Sequence, residues 1–318
     1  MDEIKKISLE ELKLYTQNFS KENFIGHFQF GKLYRGKIGE RDVTIKIWKV
    51  SLIILSYPED NIQRFNEELI LHGDSRLKSH PYLAVGKLIE YCSERELAVV
   101  YDLKPRDTLR NFILRDDFTW QQRMKIAIQL PAMLGFIHAK CSEKLPYIIC
   151  NLDPAHILLD QEYNPVVCDL SMMSGVSFAT RMKETCGCHL SLAPVVTLIR
   201  VLDHMLSNVN VPRFEPPLWL REEPLMAHEW VKEVYERWEW ESSHSEEKFS
   251  VVHESLNRDQ DFRPAFGHQI TMLAMKCTAK WRDRPTTKEL IMALSELEDV
   301  QHLYGPWEKE AVPLDLLN

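Results

Sequence analysis

The chain has 318 residues, 45% of them apolar and 27% charged, and 47 acidic against 39 basic side chains leave a formal net charge of −8. This is ordinary globular composition, which excludes a largely disordered or collagen-like chain, and the length admits one large two-lobed domain or two modest ones. The acidic balance argues against a nucleic-acid-coating surface, which needs clustered Lys and Arg.

The opening reads as a helix. Ser8-Leu9-Glu10-Glu11 is a capping box, and Leu9, Leu12, Tyr15 or Thr16, and Phe19 form one apolar stripe. From Phe24 to about Val100 the pattern turns β-rich: Lys32–Arg35, Val43–Ile47 and Leu97–Tyr101 are short strand-like runs, interrupted by a helical segment from about Ile62 to Gly73. After Thr108 the signal becomes mostly helical. Trp120 to His138 carries Met124, Ile128, Leu134 and Ile137, with a kink expected at Pro131. Gln269–Cys277 and Thr286–Leu297 read as helices too. The expected architecture is α+β, a small β-rich lobe followed by a larger helical one.

The longest apolar runs, Leu97–Tyr101 and Leu290–Leu294, fall far short of the roughly 20 residues of a spanning helix. Asp2 stands where N-myristoylation needs glycine, no prenylation cysteine ends the chain, and no signal segment opens it. A soluble cytoplasmic protein, without membrane span or nucleic-acid partner, is expected. The seven cysteines fit a reducing compartment. Cys186, Cys188 and His189 offer three soft ligands, but neither a fourth ligand nor the usual two-residue spacing of a structural zinc site is visible.

Ile25-Gly26-His27-Phe28-Gln29-Phe30-Gly31 resembles the Gly-rich loop of protein kinases, with Phe28 in place of the middle glycine. Twenty residues after Gly26 comes Lys46, ending Val43-Thr44-Ile45-Lys46 like the strand that supplies the phosphate-binding lysine. Phe65-Asn66-Glu67 resembles the helix segment whose glutamate pairs with it. His80-Pro81, Val99–Asp102, Phe118–Ala127, Ile157–Asp160 and Asp283–Thr286 resemble the plant receptor-like kinases, from about Ile7 to Leu297 and most weakly between Ser191 and Phe262. The resemblance implies a bilobal kinase fold: an N-terminal helical extension (1–23), N-lobe (24–101), C-lobe (102–300) with a shortened activation segment and following helix, and a tail (301–318). It makes Tyr101 the gatekeeper and Asp102 the start of the adenine-binding hinge.

In the catalytic loop this sequence departs from the family. Aligned back from Ile157, the His-Arg-Asp-x-Lys-x-x-Asn motif falls on Ile149–His156, and Asn151 lies 18 residues before Asp169, which supports the register. Asn151 replaces the catalytic aspartate and cannot take up the substrate hydroxyl's proton. Asp153 replaces the loop lysine, an anion where a cation should face the transferring phosphate. His156 replaces the metal-binding asparagine and is a poor ligand for Mg²⁺. Asp169-Leu170-Ser171 keeps the metal carboxylate and loses the glycine. Val195 stands where the partner of Arg284 is expected, and Asp203 reads either as a replacement helix aspartate or as an ordinary surface residue.

These departures favour a pseudokinase, binding ATP with Mg²⁺ weakly or not at all through Gly26, Gly31, Lys46, Glu67, Tyr101, Asp102 and Asp169; the alternative is a divergent active Ser/Thr kinase. The short form resembles the receptor-like cytoplasmic pseudokinases of the ZRK type. That resemblance implies an adaptor in plant immune signalling, with an NLR-type immune receptor or an active receptor-like cytoplasmic kinase as partner, and recruitment to the plasma membrane through such partners. Thr180, Thr185 and Ser191 are candidate phosphorylation sites. Trp230, Val234 and Trp238 share one helical face, which reads either as buried lobe packing or as a docking surface.

Overall fold

The computed structural model describes residues 4–28, 30–48, 58–78, 80–113, 115, 117–140, 152–170, 256, 258–278 and 285–297, together with 235, 236, 250 and 252. These fall into two compact units. One runs to Asn111 and resumes at Phe136; the other holds Phe112–Gly135 and the described residues from 235 onward.

The first unit is built on a six-stranded sheet. β1 (Lys5–Lys6), β2 (Phe24–Phe28), β3 (Gly31–Ile38), β4 (Arg41–Trp48), β5 (Leu88–Ser93) and β6 (Leu97–Tyr101) take the order β1-β5-β6-β4-β3-β2. Strands β2 to β6 pair antiparallel, while β1 adds in parallel to β5 and covers that strand's free edge. Alternation along the strands divides the side chains between two faces. Val43, Ile45 and Ile47 of β4, with Ala98 and Val100 of β6, join Leu12 and Tyr15 in one core. Trp48 of β4, with Val99 and Tyr101 of β6, joins Ile25, Phe28, Leu33 and Phe65 in a second core on the opposite face. Lys46 lies between Ile45 and Ile47 and opposite Val99, so it belongs to this second face.

Helix α1 (Leu9–Tyr15) covers the first face. Its capping box forms as the sequence predicts: Ser8 Oγ accepts the Glu11 N–H, and the Ser8 N–H donates to the Glu11 carboxylate at 2.8 Å. The helix ends at Tyr15, and Gln17, Asn18 and Phe19 take left-handed φ angles. Phe19 therefore leaves the expected helical stripe and instead meets Tyr34, ring centroids 5.6 Å apart.

Helix α2 (Pro58–His72) and the short α3 (Ser75–Lys78) belong to the second face, where Phe65 stands edge-on to Trp48 at 5.7 Å. A three-stranded sheet follows, β7 (Asp107–Thr108), β8 (Ile157–Leu159) and β9 (Pro165–Val167), in that spatial order. Leu83 bridges to Val167, and the Val167 N–H donates to the Tyr82 carbonyl at 2.8 Å, which fixes the backbone leading to Asp169. A short helix, α4 (Leu109–Ile113), follows β7, and α5 runs from Trp120 to Lys140 and continues through Pro131.

In the second unit the Phe118–Arg123 run forms a built helix start. Thr119 and Gln122 cap one another, and the Trp120 N–H donates to Asp259 at 2.6 Å. Arg123 is buried, donating to the Phe118 and Ile113 carbonyls, both at 3.1 Å, above the Phe118 ring. Helices α6 (Pro264–Thr278) and α7 (Thr287–Ser295) follow, the latter opened by a Thr286–Glu289 capping box. Cys186, Cys188, His189, Val195, Asp203, Arg284, the Thr180–Ser191 segment and the Trp230–Trp238 face all lie outside the described residues. Among the described residues there is no cluster of metal-ligating side chains, and no helix is long and apolar enough to cross a membrane.

The helix α1 contact generates a simple expectation. Leu12 is fully buried and Leu14 is 77% exposed on the same helix. In urea unfolding followed by tryptophan fluorescence, Leu12→Ala is expected to lose about 2–5 kcal/mol, and Leu14→Ala no more than about 0.5 kcal/mol.

His80 supplies a second. Burial pushes its imidazole down to about 4, and Nδ1 accepts the Tyr82 N–H at 3.2 Å, which only the neutral ring can do. An unfolded histidine titrates near 6.5, so between the two values the unfolded chain binds more protons. Unfolding free energy is expected to fall as pH drops from 6.5 towards 4, and the His80→Gln variant to show a shallower fall over that interval.

Candidate functional site

The site is assembled from four places in the first unit: the middle of β4, the end of β6, the inward face of α2, and the residues that flank β8 and β9. Lys46 Nζ donates to Glu68 Oε2 at 2.9 Å and to Asp169 Oδ1 at 3.0 Å. All three side chains are essentially inaccessible to water. The Tyr101 hydroxyl donates to Oε1 of Glu68 at 2.5 Å, so both oxygens of that carboxylate are engaged. The ammonium also lies 4.9 Å from the Phe28 ring centroid and 4.6 Å from that of Trp48.

Burial opposes the charge on Lys46, but the Asp169 and Glu68 carboxylates outweigh it and hold its pKa above the ordinary lysine value. Burial, reinforced by Glu68, pushes the Tyr101 phenol well above its usual range, so the hydroxyl keeps the proton it donates. Cys168 is likewise raised by burial and stays a thiol. Its Sγ contacts the His156 carbonyl at 3.2 Å, and its N–H donates to that same oxygen at 2.8 Å.

One expected residue is corrected. The carboxylate that reaches Lys46 is Glu68, not Glu67. Asn61, Phe65, Glu68 and His72 recur at helical spacing and are all buried. Phe65 packs on Trp48, and Glu68, one turn further along, shares that face. Glu67 is turned about 100° away; its Oε1 accepts from Gln63 Nε2 at 3.1 Å along the helix. Both glutamates are buried, so it is the packing of Phe65 on Trp48 that decides which of them reaches Lys46.

The remaining predicted residues fall as follows. Gly26 sits at a register irregularity of the β2–β3 pair, and a Cβ there would make only ordinary contact with Thr108, at 3.6 Å. Gly31 is different: a Cβ would lie 1.9 Å from the Ile47 carbonyl and 2.7 Å from the Phe28 ring, so only glycine fits beneath that side chain. The Asp102 carboxylate accepts from Arg41 Nε at 2.7 Å and is held below its ordinary pKa by that bond, while its N–H donates to the Lys87 carbonyl at 2.7 Å. Thr44, unremarked in the sequence, is fully buried and donates to the Leu103 carbonyl at 2.8 Å.

Of the loop aligned with the family's catalytic motif, Asn151 lies outside the described residues. Asp153 caps the one-turn 3₁₀ segment Pro154–His156, accepting from the Ala155 N–H at 2.9 Å. His156 is buried, and its Nδ1 stands 3.5 Å from Oδ2 of Asp169. Asp169 thus faces Lys46 with one oxygen and His156 with the other.

ATP with Mg²⁺ is the cofactor that this fold implies. As arranged, the residues do not fit it. The lysine that would meet phosphate is spent on two carboxylates beneath an aromatic ring, and the metal carboxylate is held between Lys46 and an imidazole, a poor neighbour for a hard cation. What the arrangement does chemically is hold one ammonium between two carboxylates, out of contact with water. Removing the cation leaves two buried carboxylates without it, so Lys46→Met is expected to cost about 3–5 kcal/mol in chemical denaturation. Glu68→Gln, which leaves the Lys46–Asp169 pair, is expected to cost less.

No protein-family model matches the chain. It is 26% identical over 322 residues, 93% of its own length and 77% of the relative's, to the serine/threonine-protein kinase BIK1 of Arabidopsis thaliana. It is 30% identical over 167 residues to the G-type lectin S-receptor-like serine/threonine-protein kinase RLK1 of the same plant, covering 51% of this chain and 18% of that one. To receptor-like cytoplasmic kinase 176 of Oryza sativa subsp. japonica it is 28% identical over 177 residues, 53% of this chain and 44% of the relative. The chain thus spans less than half the length of these last two. Its fold is protein-kinase-like, α+β with a curled β-sheet lobe and helices, and its homologues are plant receptor-like and receptor-like cytoplasmic kinases.

Proposed function

We propose that this protein is a pseudokinase of plant receptor signalling, one that keeps the kinase fold and works by binding other proteins rather than by transferring phosphate. The observation that carries the reading is the catalytic loop: Asp153, where the family places a cation, is a carboxylate used to cap its own turn, and the metal-ligand position is His156, turned towards Asp169. A missing base alone removes about 10²–10⁴ in rate. Replacing the phosphate-facing cation by an anion adds repulsion where transition-state charge develops. By analogy with the ZRK type, the partner class is an NLR-type immune receptor or an active receptor-like cytoplasmic kinase, met in the cytoplasm or at the plasma membrane.

The second reading, a divergent active Ser/Thr kinase, is favoured by one feature: the lysine–glutamate pair and Asp169 are all in place. Incubation of the purified protein with labelled ATP, Mg²⁺ or Mn²⁺ and generic protein substrates separates the two. The pseudokinase reading expects no incorporation above background. Incorporation that follows the protein through purification and disappears in a folded Lys46→Arg variant would overturn it.

A further inference from the structure

The Gly-rich loop carries a feature of this chain's own. Phe28 occupies the position of the middle glycine, and its side chain is turned inward rather than towards solvent, with 5% of its surface exposed. The ring stands edge-on to Trp48 at 5.9 Å, lies over Lys46 at 4.9 Å, and packs back across Gly31, where a Cβ would meet it at 2.7 Å. The loop's second aromatic, Phe30, is fastened to helix α2, with the Arg64 guanidinium 3.7 Å above its ring. Lys46 itself has no exposed surface. Two rings therefore cover the lysine, that of Trp48 at 4.6 Å and that of Phe28, which the loop supplies, at 4.9 Å.

We infer that Phe28 is a built-in plug of the phosphate subsite, standing over Lys46 in place of a nucleotide's phosphates and holding the Lys46–Glu68 pair closed without any ligand. This rests on the same site as the proposed function but concerns binding, not transfer. Two features support it together. Lys46 Nζ has no exposed surface and lies against the Phe28 and Trp48 rings, Phe28 being the one the Gly-rich loop supplies. Two of the ammonium's three donors are already used, on Glu68 and Asp169. The ring also covers the ammonium with its face rather than with water, so expelling it would expose a buried cation and two buried carboxylates together. The consequence is a fold whose lysine–glutamate pairing is set by its sequence and does not respond to cellular ATP.

The test measures ATP binding by calorimetry, with and without Mg²⁺, for the wild-type protein, Phe28→Gly and Phe28→Ala, each checked for folding by circular dichroism. Undetectable or very weak binding by the wild type, with affinity rising about tenfold or more in a folded variant, is the expected result. Wild-type binding that is lost in Lys46→Arg, or folded variants that bind no better than the wild type, would overturn the inference. Should neither variant fold, labelling of the wild type with a small amine-acylating reagent decides. Lys46 is expected to label far more slowly than the exposed Lys37 and at a rate that ATP leaves unchanged; labelling at the rate of Lys37, or protection by ATP, would overturn the inference. Phosphate transfer by Phe28→Gly would sink the pseudokinase reading while leaving the plug standing, so the two fail separately.

Discussion

A lysine cannot keep its charge inside a protein unless opposite charge and hydrogen bonds replace the water it has lost. Lys46 meets that condition with two carboxylates from distant parts of the chain, 22 and 123 residues away. The rest of the first unit can be understood as the means of holding those three groups together. The alternation of β4 places Lys46 on the correct face, Phe65 anchors α2 so that Glu68 arrives, and the Val167–Tyr82 and Cys168–His156 hydrogen bonds fix the backbone before Asp169. Tyr101 completes the shell by taking Glu68's second oxygen.

The same constraint bears on the loop that precedes Asp169. Lys46 and Asp169 bond one another, and Asp153 and His156 are held by contacts of their own. Asp153 caps a turn, and His156 supplies a carbonyl that accepts from Cys168 twice and a ring nitrogen facing Asp169. Both side chains have structural employment in this protein, whatever their counterparts do in its relatives.

Much of this was legible in the sequence, wherever a local rule decided it. The Ser8 capping box, the alternation of Val43–Ile47 and the β-rich run to Tyr101 each depend on spacing alone. The family resemblance singled out Lys46 and Asp169 one by one, but their contact with each other was no part of that reading and comes from the fold. Glu67 was not the right carboxylate, because adjacent glutamates on a helix differ only in direction, and Phe65's packing on Trp48 sets that direction. Phe19 left its stripe because left-handed residues at the end of α1 redirected the chain, which periodicity does not register. The inward turn of Phe28 was invisible for a related reason. The sequence shows that a glycine is gone, but only the packing against Trp48 and Gly31 shows where its replacement points.

The claim on which the account depends is that Lys46 is a buried, charged ammonium satisfied by the protein itself. Nitrogen-15 NMR of lysine side chains tests it directly, since ammonium protons of exposed lysines exchange with water too quickly to be seen at neutral pH and room temperature. The account predicts one slowly exchanging ammonium signal in the ligand-free protein, absent from Lys46→Arg and unmoved by saturating ATP with Mg²⁺. The absence of any protected ammonium, or a signal that shifts when the nucleotide is added, would contradict it.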